Sequence, residues 1–125
     1  MKEVLFSKDA PVPIGPYSQA IKTGNLIFLS GQIGINPSTG SLFTTLEEQF
    51  HQIMKNIQAI LKISNASLDS IIKTTIFITN MSEFPQINDL YKQYFTSSFP
   101  ARSTVEVSKL PKSALIEIEA IAWAP

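Results

Sequence analysis

The period of the hydrophobic pattern changes along this chain, and this change constrains the fold more than any other feature. Thr44 and Thr45 are each followed three residues later by a glutamate, a spacing typical of a capping box at a helix start. Apolar residues then recur at helical spacing up to about Lys62, at Leu46, Phe50, Ile53, Ile57 and Leu61. The sequence therefore predicts a long helix with one apolar face.

A second helix is predicted to begin between Asn80 and Ser82, to carry Pro85 in its first turn and to end before Phe99. Its apolar face would hold Phe84, Ile87, Tyr91 and either Tyr94 or Phe95. We interpret both apolar faces as stripes that pack in the core, and not as cofactor-binding surfaces.

Segments with a period of two, or with short apolar runs, surround these helices. Residues 19–23 and 26–30 flank Gly24 and Asn25 and are predicted to form a hairpin. Further strands are predicted at 71–78, 102–107 and 115–123, with an edge strand at 1–6. The order β-β-β-α-β-α-β-β predicts a single α+β domain over residues 1–125, with a six-stranded mixed sheet and both helices on one face.

The two faces of this sheet are expected to differ. The predicted apolar face carries Ile72, Thr74, Ile76, Ile78, Ile116, Ile118 and Ala120, and the mixed face carries Ile71, Lys73, Thr75, Phe77, Leu115, Glu117, Glu119 and Ile121. A face that holds both large apolar side chains and charges is unfavourable in water and equally unfavourable when its charges are buried singly. Association between subunits is predicted to cover it; a monomer with a partly exposed face is the alternative.

Composition excludes several kinds of chemistry. The chain has no cysteine, which rules out thiol nucleophiles and thiolate metal sites. Its only histidine, His51, is predicted to lie on the solvent side of the first helix, so neither a zinc site nor a Ser-His-Asp triad is expected. Ten basic and ten acidic residues give zero formal charge without a basic run, and nucleic acid is therefore not an expected partner.

No stretch approaches the roughly 20 apolar residues of a membrane span, and the first sixteen residues lack the features of a signal peptide. We expect a cytoplasmic protein without a membrane partner.

Arg102 and Glu117 are the strongest candidates for chemistry. Arg102 is the chain's only arginine, and its planar guanidinium matches a carboxylate in two-point geometry, which predicts a small anionic substrate. Glu117 could hold or activate a water beside that substrate. Surface ion pairing of Arg102 with Glu106 or Glu117 is the alternative, as is a solvated position for Glu117 and Glu119.

Four other positions are secondary candidates. Tyr17 stands where the chain enters its first long strand, where a phenol can pack or can hydrogen-bond a ligand. Ser30 and Gly31 end an apolar strand, and Gly31 would let a ligand approach the backbone. The following loop, GINPSTG, lacks the ending of a P-loop, so phosphate binding is not expected. Asn88 is an exposed helical residue unless it faces a neighbouring subunit.

The stretches GPYSQA, FLSGQIGINPSTG and FPARSTVEVSKLPKSALIEIEAIA resemble the RidA (YjgF) family of reactive-intermediate deaminases, over nearly the whole chain. The resemblance implies a chorismate-mutase-like fold, a homotrimer and active sites between subunits. It also implies hydrolysis of 2-iminopropanoate and 2-iminobutanoate to 2-oxo acids and ammonia, without metal or organic cofactor.

The resemblance also implies roles for individual residues. The family's carboxylate-binding arginine falls on Arg102 and its water-holding glutamate on Glu117, while Tyr17, Ser30, Gly31 and Asn88 fall in the cleft. Thr104 falls at a further substrate-binding position, where many members have a cysteine, so a possible thiol contact is absent here. A three-fold ring is expected to bring Arg102 and Glu117 of one chain near Tyr17 or a loop of a neighbour.

Three rival functions remain open at this point. A non-enzymatic sensor or regulator that binds small carboxylates would use the same arginine. Ribonuclease activity is disfavoured by the neutral charge. Chorismate mutase activity would normally need more than one cation around a dicarboxylate.

Overall fold

Helices and strands follow the predicted order. A computed structural model describes residues 1–125, with strands β1 Glu3–Leu5, β2 Ala20–Thr23, β3 Leu26–Gln32, β4 Ile71–Ile78, β5 Ala101–Glu106 and β6 Ile116–Trp123, and helices α1 Leu46–Lys62 and α2 Phe84–Tyr91. Short 3-10 turns occupy Leu68–Ser70, Met81–Glu83 and Pro111–Ser113.

The six strands form one mixed sheet in the order β1-β2-β3-β6-β4-β5. Strands β4 and β5 are parallel, and all other neighbours are antiparallel. Both helices pack on one face, where the core is buried, and the opposite face of the sheet carries no helix. The predicted α+β, chorismate-mutase-like fold is confirmed.

Local sequence signals account for α1 and for the first hairpin. Thr45, not Thr44, caps α1: its hydroxyl accepts from the Glu48 N–H at 3.1 Å, and the Glu48 carboxylate accepts from the Thr45 N–H at 3.1 Å. The whole predicted apolar face of α1 is buried. Gly24 adopts φ +57° in the tight turn between β2 and β3, a conformation that favours glycine.

Helix α2 is shorter than predicted. It begins at Phe84, after the 3-10 turn Met81–Glu83, and ends at Tyr91. Beyond Tyr91 the backbone tightens, because the Tyr94 N–H donates to the carbonyl three residues before it, at 3.1 Å. The tighter turn still lets Tyr91 and Phe95 enter the core.

The predicted faces of β4 are wrong at its first two residues. Ile71 is buried and lies opposite Ala122, whereas Ile72 is 48 % exposed. The next pair is Lys73 with Ile121, so β4 has one more residue than β6 in this interval. Such a β-bulge reverses the alternation of side chains on one side of it, and sequence alternation alone cannot reveal the position.

His51 is more enclosed than predicted. Its side chain is 35 % exposed, and its Nδ1 hydrogen-bonds the Tyr94 hydroxyl beyond the end of α2. The Tyr94 ring also packs against Phe50, so His51 belongs to the contact between the two helical regions.

Neither helix has the length and apolarity needed to cross a bilayer. No three His, Cys, Asp or Glu side chains come together in a group that could hold a metal ion.

Candidate active site

Arg102 lies on the helix-covered face of the sheet. It stands on edge strand β5 in register with Thr74 of β4, and paired residues share a face. Its Nη2 donates a 2.8 Å hydrogen bond to Asn88 Oδ1 of α2. The guanidinium carbon also lies 4.9 Å from the ring centre of Tyr91 and 5.4 Å from that of Phe84. Helix α2 therefore contacts the guanidinium through three side chains.

The alternative in which Arg102 forms a surface ion pair with Glu106 or Glu117 is not what the structure shows. Two close contacts between a basic and an acidic side chain occur in the chain, His51 with Glu47 and Lys92 with Asp89, and neither includes Arg102. Glu106 instead accepts a 2.7 Å hydrogen bond from the Met81 N–H. Arg102 borders a pocket of about 440 Å³, lined also by Asn88, Tyr91, Lys92, Phe99 and Pro100. Its charge has no acidic partner within the chain.

Thr104 follows Arg102 by two residues and lies on the same face of β5, in register with Ile76. Its hydroxyl oxygen is buried without a hydrogen-bond partner. Buried hydroxyls are nearly always paired, so this unpaired oxygen is an exception within the fold.

Glu117 lies on the other, helix-free face. It stands on β6 in register with Phe77, between the core residues Ile116 and Ile118. Partial burial raises the pKa of the Glu117 carboxyl above its usual range, and the nearby charge of Glu119 raises it further. Glu117 is thus a better proton acceptor, when ionised, than an exposed carboxylate.

An irregularity in β3 brings Gly31 against Glu117. Leu29 pairs with Ala120 and Gln32 with Ile118, so Ser30 and Gly31 together oppose the single residue Glu119. A Cβ on Gly31 would lie 2.7 Å from the carboxyl carbon of Glu117. Only glycine leaves this carboxyl in place.

Ser30 and Tyr17 complete this side of the sheet. The Ser30 hydroxyl donates to the Ser18 carbonyl at 2.6 Å, tying the bulge to the segment that carries Tyr17. Tyr17, Gly31 and Glu117 border one pocket of about 80 Å³, with Val12 among its apolar residues. Tyr17 is half exposed over it.

The candidate residues therefore form two groups separated by the sheet. Arg102, Asn88 and Thr104 make the arginine side, and Glu117, Gly31, Ser30 and Tyr17 make the glutamate side. The expectation that Arg102 and Glu117 of one chain act together, with Tyr17 supplied by a neighbour, differs from this arrangement. Tyr17 shares a pocket with Glu117 of its own chain, because the chain entering β2 runs beside the bulge in β3.

The sequence predicts Phe84 and Tyr91 only as core residues, so their contact with Arg102 was missed, whereas Asn88 was already a candidate for the cleft. Their spacing of four and then three residues places all three on one helix face, a signal that could have joined them.

Gln19 was also missed as the residue that fixes the N-terminal segment. Its buried side chain accepts from the Ser7 N–H at 2.7 Å and donates to the carbonyls of Ser7 and Pro11 at 3.0 and 2.9 Å. These bonds hold the segment that continues to Tyr17. Nothing in the sequence pattern distinguishes this glutamine from an exposed one.

Comparison with known proteins agrees with this geometry. Residues 7–124 match the model of the family described as Endoribonuclease L-PSP, which includes the RutC and RidA proteins. The chain belongs to this RidA family. A RutC family protein of Pyrococcus horikoshii is 52 % identical to this RidA-family chain over 124 residues, covering 98 % of both chains.

Two further relatives support the membership. The 2-iminobutanoate/2-iminopropanoate deaminase of Dermatophagoides farinae is 46 % identical over 121 residues, covering 96 % of this chain and 94 % of the relative. A Rid family protein of unknown function from Yersinia pestis has a crystal structure that superposes with a TM-score of 0.96. That structure is 53 % identical in sequence and covers 99 % of this chain and 100 % of its own. The RidA-family resemblance seen in the sequence is confirmed, and some of its named members are deaminases.

Proposed function

We propose that this protein is a cofactor-independent deaminase that hydrolyses 2-iminopropanoate and 2-iminobutanoate to 2-oxo acids and ammonia. The observation that carries this proposal is the separation of Arg102 from Glu117 by the sheet. Each has features of a catalytic or binding group, yet neither can meet the other within a chain. In a closed trimer, the arginine side of one copy would face the glutamate side of the next and complete a site.

Substrate binding would rest on Arg102. The guanidinium spends one hydrogen bond on Asn88 and has no acidic partner, so its remaining donors can bind a substrate carboxylate in two-point geometry. Thr104, two residues further along the same face of β5, would offer its unpaired hydroxyl to a ligand that displaces the side chains covering it.

Hydrolysis would rest on Glu117. Its carboxylate takes a proton from a bound water as the water oxygen bonds to the imine carbon, and the protonated imine nitrogen becomes an amine. The proton that Glu117 took from the water then passes to this nitrogen, which allows the C–N bond to break. Ammonia leaves as the remaining hydroxyl gives its proton to the Glu117 carboxylate and becomes the carbonyl of the 2-oxo acid, and Glu117 afterwards releases this proton to solvent. An imine already reacts with water, so positioning and proton transfer suffice.

The helix-free face supports association. Val4, Phe28 and Trp123 are 59 %, 42 % and 48 % exposed, and Lys73 and Glu119 border a pocket on the same face. Large exposed apolar side chains beside charges are typical of surfaces that another subunit covers. Light scattering is expected to give about three times the chain mass of 13.8 kDa.

The decisive experiment measures ammonia release from 2-iminopropanoate generated in situ by an amino-acid oxidase. Arg102→Ala and Glu117→Gln are expected to lose most of the acceleration, and Arg102→Lys to lose much of it, because an ammonium lacks the planar fork. Lys62→Ala removes a cation from the exposed end of α1 and serves as the matched control. Full activity in folded Arg102→Ala would contradict the proposal.

A sensor that binds small carboxylates is the rival that the Arg102 pocket also supports. Calorimetric binding of pyruvate without imine turnover would favour it. Because the matched family is described as an endoribonuclease, RNA cleavage is measured on the same preparations. Cleavage that disappears in Arg102→Ala would favour that activity instead.

A further inference from the structure

The Tyr91 ring packs against the guanidinium of Arg102, and its hydroxyl is held by a residue of the sheet. Its hydroxyl is 2.7 Å from the Thr74 hydroxyl, and both side chains are almost completely buried, at 4 % and 2 % exposed. Burial raises the pKa of the Tyr91 phenol, so the ring is neutral at physiological pH.

Thr74, Tyr91 and Arg102 form a closed cycle of contacts. Thr74 is the register partner of Arg102 across β4 and β5. The Thr74 hydroxyl hydrogen-bonds the Tyr91 hydroxyl, and the centre of the Tyr91 ring lies 4.9 Å from the guanidinium carbon of Arg102. The ring is therefore fixed relative to the backbone that carries the arginine.

This cycle of contacts limits how the Arg102 side chain can move. A long, flexible arginine side chain loses rotamer entropy when it is ordered, and a ring face that attracts the cation orders it in advance. The hydrogen bond to Asn88 restrains one edge of the guanidinium, and the Tyr91 ring restrains the guanidinium plane against α2. Both restraints favour two-point recognition of a carboxylate, because less freedom remains to be lost on binding.

We propose that Tyr91, anchored by Thr74, is a positioning residue that holds the Arg102 guanidinium ready for a carboxylate. This inference rests on the proposed function, in which Arg102 binds the substrate carboxylate. Tyr91 acts through Arg102 and need not touch the substrate. A tyrosine that only fills the core would support the fold without affecting the arginine.

The chain offers an internal control for this inference. Tyr94 also has a hydrogen-bonded hydroxyl, and burial raises its pKa as well, but its partners are His51 and the Phe50 ring. Tyr94→Phe and Tyr94→Leu thus match Tyr91→Phe and Tyr91→Leu without touching Arg102.

Two readouts test the inference. The first is the Kd for pyruvate, measured by calorimetry. The second is the Nε–H signal of Arg102 in ¹H–¹⁵N NMR spectra, which is unambiguous because the chain has one arginine. This signal needs no ligand and reports the nearby ring directly.

Tyr91→Leu is expected to raise the Kd about tenfold and to move the Arg102 signal towards that of a free arginine. Tyr91→Phe and Thr74→Val each break the anchor but keep the ring, and about a threefold rise is expected from either. The double variant should be no worse than either single variant, because both remove the same hydrogen bond. Both Tyr94 variants should leave Kd and signal unchanged.

An unchanged Kd and an unchanged Arg102 signal in folded Tyr91→Leu would overturn the inference. If Tyr91→Leu does not fold, Tyr91→Phe and Thr74→Val decide, and wild-type values in both would overturn it. Normal pyruvate binding by Arg102→Ala would instead overturn the proposed function. In that case the NMR signal still tests whether Tyr91 positions the arginine.

Discussion

Gly31 of β3 and Glu117 of β6 lie so close that a methyl group on Gly31 would stand 2.7 Å from the carboxyl carbon of Glu117. The bulge at Ser30 and Gly31 creates this contact between neighbouring strands. The glutamate side of the candidate site therefore depends on one missing Cβ.

Gly31→Ala is expected to lower imine turnover about a hundredfold while changing the free energy of unfolding by less than about 1 kcal/mol. The added methyl group displaces the end of a side chain, which can rotate away, and no backbone needs to move. Gly34→Ala is the contrast, because its Cβ would lie 2.5 Å from the Gln49 Cα and should cost about 3 kcal/mol. Urea unfolding and ammonia release measure the two effects; normal turnover in Gly31→Ala would contradict the displacement.

Glu117→Gln is expected to lose most of the turnover without loss of stability at neutral pH. The pKa of Glu117 is raised in the folded state, chiefly by burial, so its ionisation opposes folding. Any stability that the neutral carboxyl contributes is present below its ordinary pKa of 4.5 and is lost as pH rises through the raised value. Denaturant unfolding should thus show the variant equal to wild type in acid and at least as stable at pH 7. A less stable variant at pH 7 would contradict the assignment.

Glu119→Gln is expected to shift the pH dependence of turnover. The charge of Glu119 is the second cause that raises the pKa of Glu117, so its removal lowers that pKa. If ionised Glu117 accepts the proton, the acid limb of the pH–rate profile should move to lower pH. Glu83→Gln, on a 3-10 turn, is the control and should not move it. An unmoved acid limb in Glu119→Gln would argue against Glu117 as the base.

Mixing Arg102→Ala with Glu117→Gln is expected to restore activity. If each site combines Arg102 of one copy with Glu117 of the next, random mixing in a three-fold ring leaves about a quarter of sites intact. Native mass spectrometry confirms subunit exchange, and ammonia release measures recovery. Exchanged but wholly inactive trimers would show that the two residues do not meet across a subunit boundary.

Gln19→Leu is expected to lower the free energy of unfolding by about 2 to 4 kcal/mol, because it leaves the Ser7 N–H and several carbonyls without partners. Gln93→Leu removes an exposed amide and should change stability by less than about 0.5 kcal/mol. Hydrogen exchange should show residues 7–11 losing protection first. Equal stability of the two variants would contradict the role given to Gln19.

Elements that depend only on residues close together in the sequence were predictable. The capping box at Thr45 and the apolar spacing of α1 lie within one segment of the sequence, and the structure contains both the cap and the buried apolar face. The shorter α2 was not predicted, since its end depends on where Tyr91 and Phe95 enter the core.

The sequence by itself determined the fold class, the family and the residues suited to chemistry, because periodicity, capping and motifs are local properties of the chain. Only the tertiary structure decided which candidates lie together. Glu117 faces away from the helices, as the alternation in β6 predicted, whereas Arg102 faces them because the register of β5 on β4 pairs it with Thr74, and the β-bulge in β3 brings Gly31 against Glu117. Register arises from contacts between residues far apart in the chain, and a single extra residue reverses a face.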